Sequence, residues 1–278
     1  MATKPPSAAD WATHARMNAS NRWERPSAEM GRGATEAIVA LAQPRPGMRA
    51  LDVASGTGAP ALQIARAVGP DGRVVATDLS PVPLKIAAER ARQRGLTNIS
   101  FETADVHRLK YSDESFDLVT SRMGVMFFSD LPRALAEMRR VLKPGGRIAL
   151  LAWGPMEQPY FQCTGDILMR HTGAALPDAS KQLFKFGEPG TLTAALTAAG
   201  FRDVQEELRS VPWVWTATIA DLWEYFQTAT VPFRPVLAQI RPEQVEPITR
   251  DVHQAFAKYW DGEKVNMTAD FVLASGVR

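Results

Sequence analysis

The stretch LDVASGTGAP, which begins at Leu51, places two glycines shortly after an acidic residue. Gly56, Gly58 and Ala61 fit the spacing G-x-G-x-x-A, which is typical of loops that bring the backbone close to a bound nucleotide. A carboxylate about 20 residues further on, here Asp78, can accept hydrogen bonds from both ribose hydroxyls. These residues predict a nucleotide-containing ligand, and NAD(P) is one candidate.

Asp52 helps to choose between ligands because it lies four residues before Gly56. A carboxylate so close to a pyrophosphate would oppose its binding, whereas a cationic ligand reverses the sign of that interaction. S-adenosylmethionine carries an ammonium and a sulfonium, and its one carboxylate can use backbone N–H groups where the loop enters a helix. An NAD(P)-dependent oxidoreductase and a non-catalytic nucleotide-binding protein remain alternatives.

The elements that position these residues follow an alternating pattern. Helical patterns at Pro60 to Val68, Pro81 to Arg94 and from Ser129 separate the apolar runs, and each ends at a glycine-containing turn. The apolar runs are RALDVA, RVVATDL, ISFETA, FDLVTSRM and RIALLAW. Strands that alternate with helices predict a parallel sheet with the ligand at the carboxyl ends of the strands.

The two ends of the chain carry different patterns. Asp10 is a candidate N-cap for a short helix, and a second helix is predicted over residues 28–42. Beyond Trp153 we expect helices over 158–171 and 191–199, a strand over 204–215 and a mostly helical segment over 219–260. The final MTADFVLASG alternates like a strand. Two further sheet strands with a helical cover inserted between them are therefore expected.

From Met48 to Trp153 the chain resembles the class I S-adenosylmethionine-dependent methyltransferases, and within them the ubiquinone and menaquinone biosynthesis C-methyltransferases. The resemblance rests on LDVASGTG, VVATDLS, TADVHRL, FDLVTSRMGV and RRVLKPGGR, in the family's order and spacing. Ala54 stands where many class I members have glycine, and the quinone branch shares this alanine. The resemblance implies an α/β, Rossmann-like fold whose seven-stranded, mostly parallel sheet has an antiparallel last strand and a helical cap.

The resemblance also implies a domain organisation and a set of cofactor-binding residues. Residues 1–45 would form an N-terminal helical cover, 46–155 the S-adenosylmethionine-binding core, and 156–278 a substrate cap plus the last two strands. The loop would hold the methionine part, Asp78 the ribose and Asp105 the adenine amino group. The expected cofactor-binding residues are Asp52, Ala54, Ser55, Gly56, Thr57, Gly58, Asp78, Leu79, Asp105, Val106 and Arg122. Asp78 and Asp105 have an alternative interpretation as helix N-caps.

The expected activity is transfer of a methyl group to an oxygen or carbon of an apolar, aromatic or quinone-like small molecule. All seven tryptophans lie outside residues 48–151, so the aromatic surface belongs to the predicted cover. Candidate substrate contacts are Trp11, Met123, Phe127, Trp153 and Tyr160. His14 and His171 are the candidate catalytic bases, whereas His107 is predicted to be an exposed residue in a helical first turn. The same aromatics could instead form the core of the cap.

Composition narrows the classes of protein to which this chain could belong. The chain has 278 residues, a formal charge of +2 and dispersed Lys and Arg, which argues against a nucleic-acid partner. One cysteine, Cys163, excludes an internal disulfide and a cysteine-rich metal site, and no metal is expected. Neither a signal peptide nor an integral membrane segment is indicated, so we predict a cytoplasmic protein. The oligomeric state is left open, with a homodimer as one option.

Overall fold

A seven-stranded sheet organises the computed structural model, which describes residues 7–278. The first six residues of the predicted N-terminal cover therefore lie outside the described residues. The strand order is β3-β2-β1-β4-β5-β7-β6. The strands are β1 (Arg49–Val53), β2 (Arg73–Asp78), β3 (Ile99–Thr103), β4 (Phe116–Arg122), β5 (Leu142–Trp153), β6 (Arg202–Trp215) and β7 (Val265–Val277).

The central strands pair in parallel, which requires crossover connections between them rather than hairpins. Parallel pairing joins β1 to β2 and β4, β2 to β3, and β4 to β5. The last strand, β7, is antiparallel to β5 over Arg147–Trp153. The fold class predicted from the sequence is confirmed: a mostly parallel, Rossmann-like sheet with an antiparallel last strand.

Helices occupy most of the chain between the strands. In chain order they are α1 (Ala8–Trp11), α2 (His14–Arg22), α3 (Glu24–Met30), α4 (Arg32–Ala42), α5 (Ala61–Val68), α6 (Pro81–Gln93), α7 (Leu131–Val141), α8 (Pro159–Gln162), α9 (Gly165–Thr172), α10 (Asp178–Leu183), α11 (Thr191–Ala198), α12 (Ile219–Ala229), α13 (Arg234–Leu237) and α14 (Pro242–Ala257). Short 3₁₀ helices lie at Val106–Arg108, Val125–Phe127 and Val231–Phe233. Among the described residues, no helix is both long and apolar enough to cross a bilayer.

Helix ends differ from the sequence-based expectation where capping chemistry decides them. Asp10 is not the N-cap of the first helix: Ser7 caps α1, and Asp10 is its capping-box partner three residues later. The helix predicted over 28–42 is interrupted at Gly31, between α3 and α4. The KPGG stretch does not terminate α7, because α7 ends at Val141 and β5 begins at Leu142.

Two compact units make up the chain. The first comprises residues 7–33, Pro155–Lys185 and Ser210–Asp270. The second comprises Ala34–Gly154, Phe186–Arg209 and Phe271–Arg278, and it contains β1 to β5. The predicted three-part division at residues 45 and 155 remains a prediction.

Aromatic side chains form the core of the first unit. Tyr160 is only 4% exposed. Its ring centroid lies 5.3 Å from that of Phe161, 5.8 Å from that of Phe226 and 6.0 Å from that of Trp213, all in edge-to-face contacts. Cys163 is also buried here, and burial raises the pKa of its thiol to about 11, so it is an inert thiol.

Candidate functional site

The second unit has its topological switch point between β1 and β4. These strands are neighbours, but the chain continues from β1 toward β2 and from β4 toward β5, on opposite sides. Ligands of open α/β sheets bind at the carboxyl ends of the strands at such a point. The first residue after each strand has a left-handed backbone: Ala54 at φ +57° and Met123 at φ +61°. Strained residues of this kind cluster at functional sites.

The glycine loop between β1 and α5 is held by its own backbone. The Ser55 amide donates to the Thr77 carbonyl at 2.8 Å, and the Gly58 amide donates to the Ser55 carbonyl at 2.9 Å. A side chain at Gly58 would start 2.9 Å from Leu62 Cδ1 and 3.2 Å from Ala87 Cβ. Glycine is needed there because φ is +107° and because α5 and α6 pack against the loop.

Asp78, the last residue of β2, connects the second strand to this loop. Its Oδ2 accepts a 2.9 Å hydrogen bond from the Gly56 amide, and its Oδ1 accepts one of 3.0 Å from the Ser80 amide. The N-cap of α6 is Ser80, whose hydroxyl accepts from the Val82 amide. Asp78 is therefore not the cap of that helix, and each carboxylate oxygen keeps a second lone pair for a ligand hydroxyl.

Asp52 lies inside β1 and is 1% exposed. Its Oδ1 accepts a 2.6 Å hydrogen bond from the Thr120 hydroxyl on β4. Its Oδ2 is buried and has no hydrogen-bond partner within residues 7–278. Burial raises the pKa of Asp52 to about 6 against the lowering effects of the Thr120 hydrogen bond and the Arg122 charge, and the Asp78 charge raises it further.

Asp105 follows β3 and lies on the border of an open groove. The groove has a volume of about 440 Å³ and is lined by Leu79, Thr103, Ala104, Asp105, Arg108 and Lys110. Leu79 is 54% exposed there, which makes an apolar surface available to a flat ring. Asp105 is also the N-cap of the 3₁₀ helix, because its Oδ1 accepts from the His107 amide at 2.9 Å. Val106 is buried beneath it.

The structure thus brings the predicted acids to one edge of the sheet. Asp52 and Asp78 lie toward the carboxyl ends of the adjacent strands β1 and β2, and Asp105 follows the next strand in the sheet, β3. Asp78 is close enough to Asp52 for its charge to raise the pKa of Asp52. A buried carboxylate oxygen with no donor among residues 7–278 and an acidic strand end suit a cationic nucleoside and disfavour a diphosphate at this point of the loop.

Comparison with known proteins agrees with this chemistry. Residues 30–208 match the model of the ubiE/COQ5 methyltransferase family. The chain belongs to that family. It is an S-adenosylmethionine-dependent methyltransferase, so the oxidoreductase and non-catalytic alternatives are not supported.

Individual relatives align with this chain over more than 200 residues. The nocamycin O-methyltransferase of Saccharothrix syringae is 33% identical over 220 residues, which is 70% of this chain and 78% of that enzyme. The demethylmenaquinone methyltransferase of Deinococcus radiodurans is 34% identical over 203 residues, 69% of this chain and 80% of that enzyme. The crystal structure of Bacillus subtilis YcgJ covers 88% of this chain and 97% of its own, with a TM-score of 0.56. At 20% identity that structure shows the shared fold alone.

The predicted acceptor-side residues occupy different surroundings in this methyltransferase. Trp153 ends β5 and packs on Phe271, with ring centroids 4.5 Å apart. Met123 and Phe127 are half-buried in the segment that follows β4. In the first unit, Trp11 lies at the end of α1 beneath the Arg16 guanidinium, 5.2 Å from the ring centroid, whereas Tyr160 is in the core. Their substrate contacts remain predictions.

The two predicted bases both belong to the first unit and differ in their partners. His14 begins α2 and is exposed. His171 lies near the end of α9, and its Nε2 is 2.7 Å from Asp251 Oδ2 on α14. Hydrogen bonding from His171 holds the pKa of Asp251 below its usual value. A carboxylate in this position fixes the orientation and tautomer of an imidazole, although the catalytic roles of both histidines remain predictions.

Two polar contacts of the site are not predicted by the sequence. His107 lies in the first turn of the 3₁₀ helix, as predicted, but it is half-buried rather than exposed: its side chain has an exposure of 19% and contacts Asp105. Thr120 is the other, because its hydroxyl binds the buried Asp52. The signal available in the sequence was the position of Thr120 on a strand next to β1, but the register between β1 and β4 cannot be read from one sequence.

Cofactor binding should depend on the ionisation of Asp52. A cation beside Asp52 favours the carboxylate, so the bound form has the lower pKa and releases a proton. The affinity for S-adenosylmethionine should therefore be highest near pH 7, where Asp52 is ionised and the ligand ammonium is still protonated, and fall as the pH drops through the Asp52 pKa of about 6. Calorimetry at pH 6 in buffers of different ionisation enthalpy measures the released proton.

Two controls make this measurement specific. Asp52→Asn should remove the pH dependence and the proton release. Adenosine, which lacks the charged methionine part, should bind the unchanged enzyme with little dependence on pH. An unaltered pH dependence in the Asn variant would assign the titration to another group.

Proposed function

We propose that this methyltransferase acts on an oxygen or carbon atom of an apolar, aromatic or quinone-like small molecule. The observation that carries the proposal is the segment after β4 at the switch point. It reads MGVMFF from Met123 to Phe128, and its apolar side chains would lie next to the methyl donor, on the side where the acceptor is expected to bind. The names of two relatives, a nocamycin O-methyltransferase and a demethylmenaquinone methyltransferase, support an acceptor of this class.

The cofactor placement is part of the same proposal. Ala54 to Gly58, with Thr57 and Ser55, would surround the methionine part, and Asp52 would face its positive charge. Asp78 would accept from the ribose hydroxyls through the lone pairs that the Gly56 and Ser80 amides leave. Asp105, Leu79 and Val106 would bind adenine in the groove, and Arg122 would border the cofactor after β4.

The chemistry asks little of the protein beyond alignment and shielding. S-adenosylmethionine supplies an already activated methyl group, which is displaced in line by the acceptor. The apolar segment after β4 excludes water from that reaction. An acceptor hydroxyl must also lose a proton, and a positioned base contributes roughly 10²- to 10⁴-fold to such steps. His14 and His171 are the proposed bases, and the Asp251 contact favours His171 because its other ring nitrogen is then oriented to accept the proton.

The test is a transfer assay with a labelled methyl donor and matched acceptors. Substituted phenols and hydroquinones with apolar side chains should be methylated, whereas phosphoethanolamine and glycine should not. NMR of the product made with a ¹³C-methyl donor distinguishes an O-methyl from a C-methyl group. Methylation of the amines alone would contradict the proposed acceptor class.

Variants in the same assay test the bases. His171→Gln or His14→Gln should lower kcat by roughly 100-fold if that histidine removes the proton. His253→Gln is the matched control. This histidine lies on α14 of the same unit and is not among the predicted cofactor or substrate contacts, so the variant should retain the activity. Full activity in both the His14 and His171 variants would remove histidine from the proposal.

A further inference from the structure

His107 connects two parts of the second unit through both ring nitrogens. Its Nδ1 lies 2.6 Å from Asp105 Oδ1, the carboxylate at the border of the groove. Its Nε2 accepts a 3.2 Å hydrogen bond from the Asp130 amide, at the N-terminus of α7. The His107 carbonyl accepts from Arg133 Nε at 2.8 Å, which adds a second connection to α7.

These contacts determine the tautomer of His107. A backbone amide can only donate, so Nε2 must be the acceptor of the Asp130 hydrogen bond and carries no proton. The single proton of the neutral ring is then on Nδ1, where it is donated to Asp105 Oδ1. Phe128 contacts the ring edge-to-face at a centroid distance of 6.3 Å and restricts its rotation.

The arrangement directs Asp105 as well. Oδ1 accepts two hydrogen bonds from His107, one from the backbone amide at 2.9 Å and one from the ring Nδ1 at 2.6 Å. A carboxylate whose first oxygen is held by two donors has a fixed plane, and its second oxygen is aimed in one direction. The Asp105 side chain is nevertheless 53% exposed and borders the groove. Oδ2 is therefore available to a ligand in a defined orientation.

We infer that His107 is a positioning residue that orients Asp105 to accept the exocyclic amine of adenine. The inference rests on the proposed placement of the adenine in the groove. His107 also ties this carboxylate to Ser129 and Asp130, directly after the apolar segment proposed for the acceptor, with Ser129 Oγ at 3.5 Å from Nε2. The His107 side chain thus contacts both the carboxylate proposed to recognise adenine and the N-terminus of α7.

The experiment compares two ligands that differ at the amine. S-adenosylhomocysteine has the exocyclic amine, and S-inosylhomocysteine has a carbonyl oxygen in its place, which repels Asp105. The ratio of their dissociation constants, measured by calorimetry, reports on the carboxylate and is independent of the fraction of protein that is folded. The wild-type enzyme should prefer the adenine ligand. His107→Phe, which keeps the ring contact with Phe128, should reduce that preference roughly ten-fold.

Conservative variants separate the hydrogen bond from the space that the ring fills. The amide nitrogen of His107→Asn can take the place of Nδ1, so this variant should retain the preference. The longer side chain of His107→Gln cannot place a donor there and should lose it. Equal preferences in the Asn and Gln variants would overturn the inference, and this comparison holds even if the Phe variant does not fold.

The variant Asp105→Ser separates the role inferred for His107 from the proposed placement of adenine at Asp105. Serine retains an N-cap acceptor for the 3₁₀ helix but is too short to reach the amine. An unchanged preference in this variant would show that adenine is not bound at Asp105, and the proposed placement would fail. A preference that is lost in Asp105→Ser but intact in His107→Phe would overturn the role of His107 alone.

Discussion

Replacement of Asp78 by alanine should weaken S-adenosylmethionine binding roughly 100-fold, because hydrogen bonds to a charged group contribute about 1.5–3 kcal/mol each. The carboxylate is expected to accept two such bonds from the ribose hydroxyls. The variant also loses the 2.9 Å hydrogen bond that holds the Gly56 amide, so the glycine loop loses its connection to β2. Calorimetric titration of the apo enzyme with the cofactor measures the change.

Matched variants divide this effect into its parts. Asp78→Asn keeps one acceptor oxygen but removes the charge, and its affinity should lie between those of wild type and Asp78→Ala. Asp71→Asn removes an exposed acid from the turn before β2 and should bind the cofactor normally. An Asp78→Ala enzyme whose dissociation constant stays within about three-fold of wild type would place the ribose elsewhere.

The core of the fold could be predicted because local and global signals agree there. Residues 50–53 of β1 and 148–153 of β5 are buried and mostly apolar, and the helices between the strands have an amphipathic period. The strand β6 was predicted from Val204, and the structure begins it at Arg202. The order of the strands and helices along the chain and the handedness of the crossovers then leave few possible sheet topologies.

Predictions failed where a tertiary contact overrides a local signal. KPGG indicates a helix end, yet β5 continues through it because Lys143 pairs with Asp117 at 2.6 Å and the pairing of β4 with β5 shifts register there. His107 follows Asp105 by two residues, which suggests only a first-turn position. Its second contact, with Asp130, is 23 residues away in sequence and could not be anticipated without the packing of α7.

At Ala54 the sequence indicates the residue type but not the backbone conformation. The sequence shows alanine where many class I members have glycine, and this suggests only a branch of the family. The structure gives the residue φ +57°, a conformation that costs an alanine about 1 kcal/mol relative to glycine. The methyl group of Ala54 is directed at Gly124, the second residue after β4. The two positions on either side of the switch point are therefore complementary in volume.

Gly124→Ala should consequently destabilise the enzyme by about 1–3 kcal/mol and impair cofactor binding. Its backbone, at φ −92° and ψ −41°, is available to alanine, so conformation alone does not require glycine. The added Cβ would lie 2.5 Å from the Ala54 Cβ and 2.7 Å from Ser121 Oγ. Ser121 can rotate, since its hydroxyl makes no hydrogen bond within the described residues, but the Ala54 methyl group can move only with the loop backbone.

Ala54→Gly is the second substitution of a double-mutant cycle with Gly124→Ala. It removes the colliding methyl group and the strain at φ +57°, so the double variant should recover most of the lost stability and affinity. Urea denaturation and cofactor titration of the wild type, both single variants and the double variant complete the cycle. Gly47→Ala, at φ +81° with no neighbour within 4 Å, reports the cost of backbone strain without a collision. A double variant no better than Gly124→Ala would mean that Ala54 does not determine the space available at the switch point.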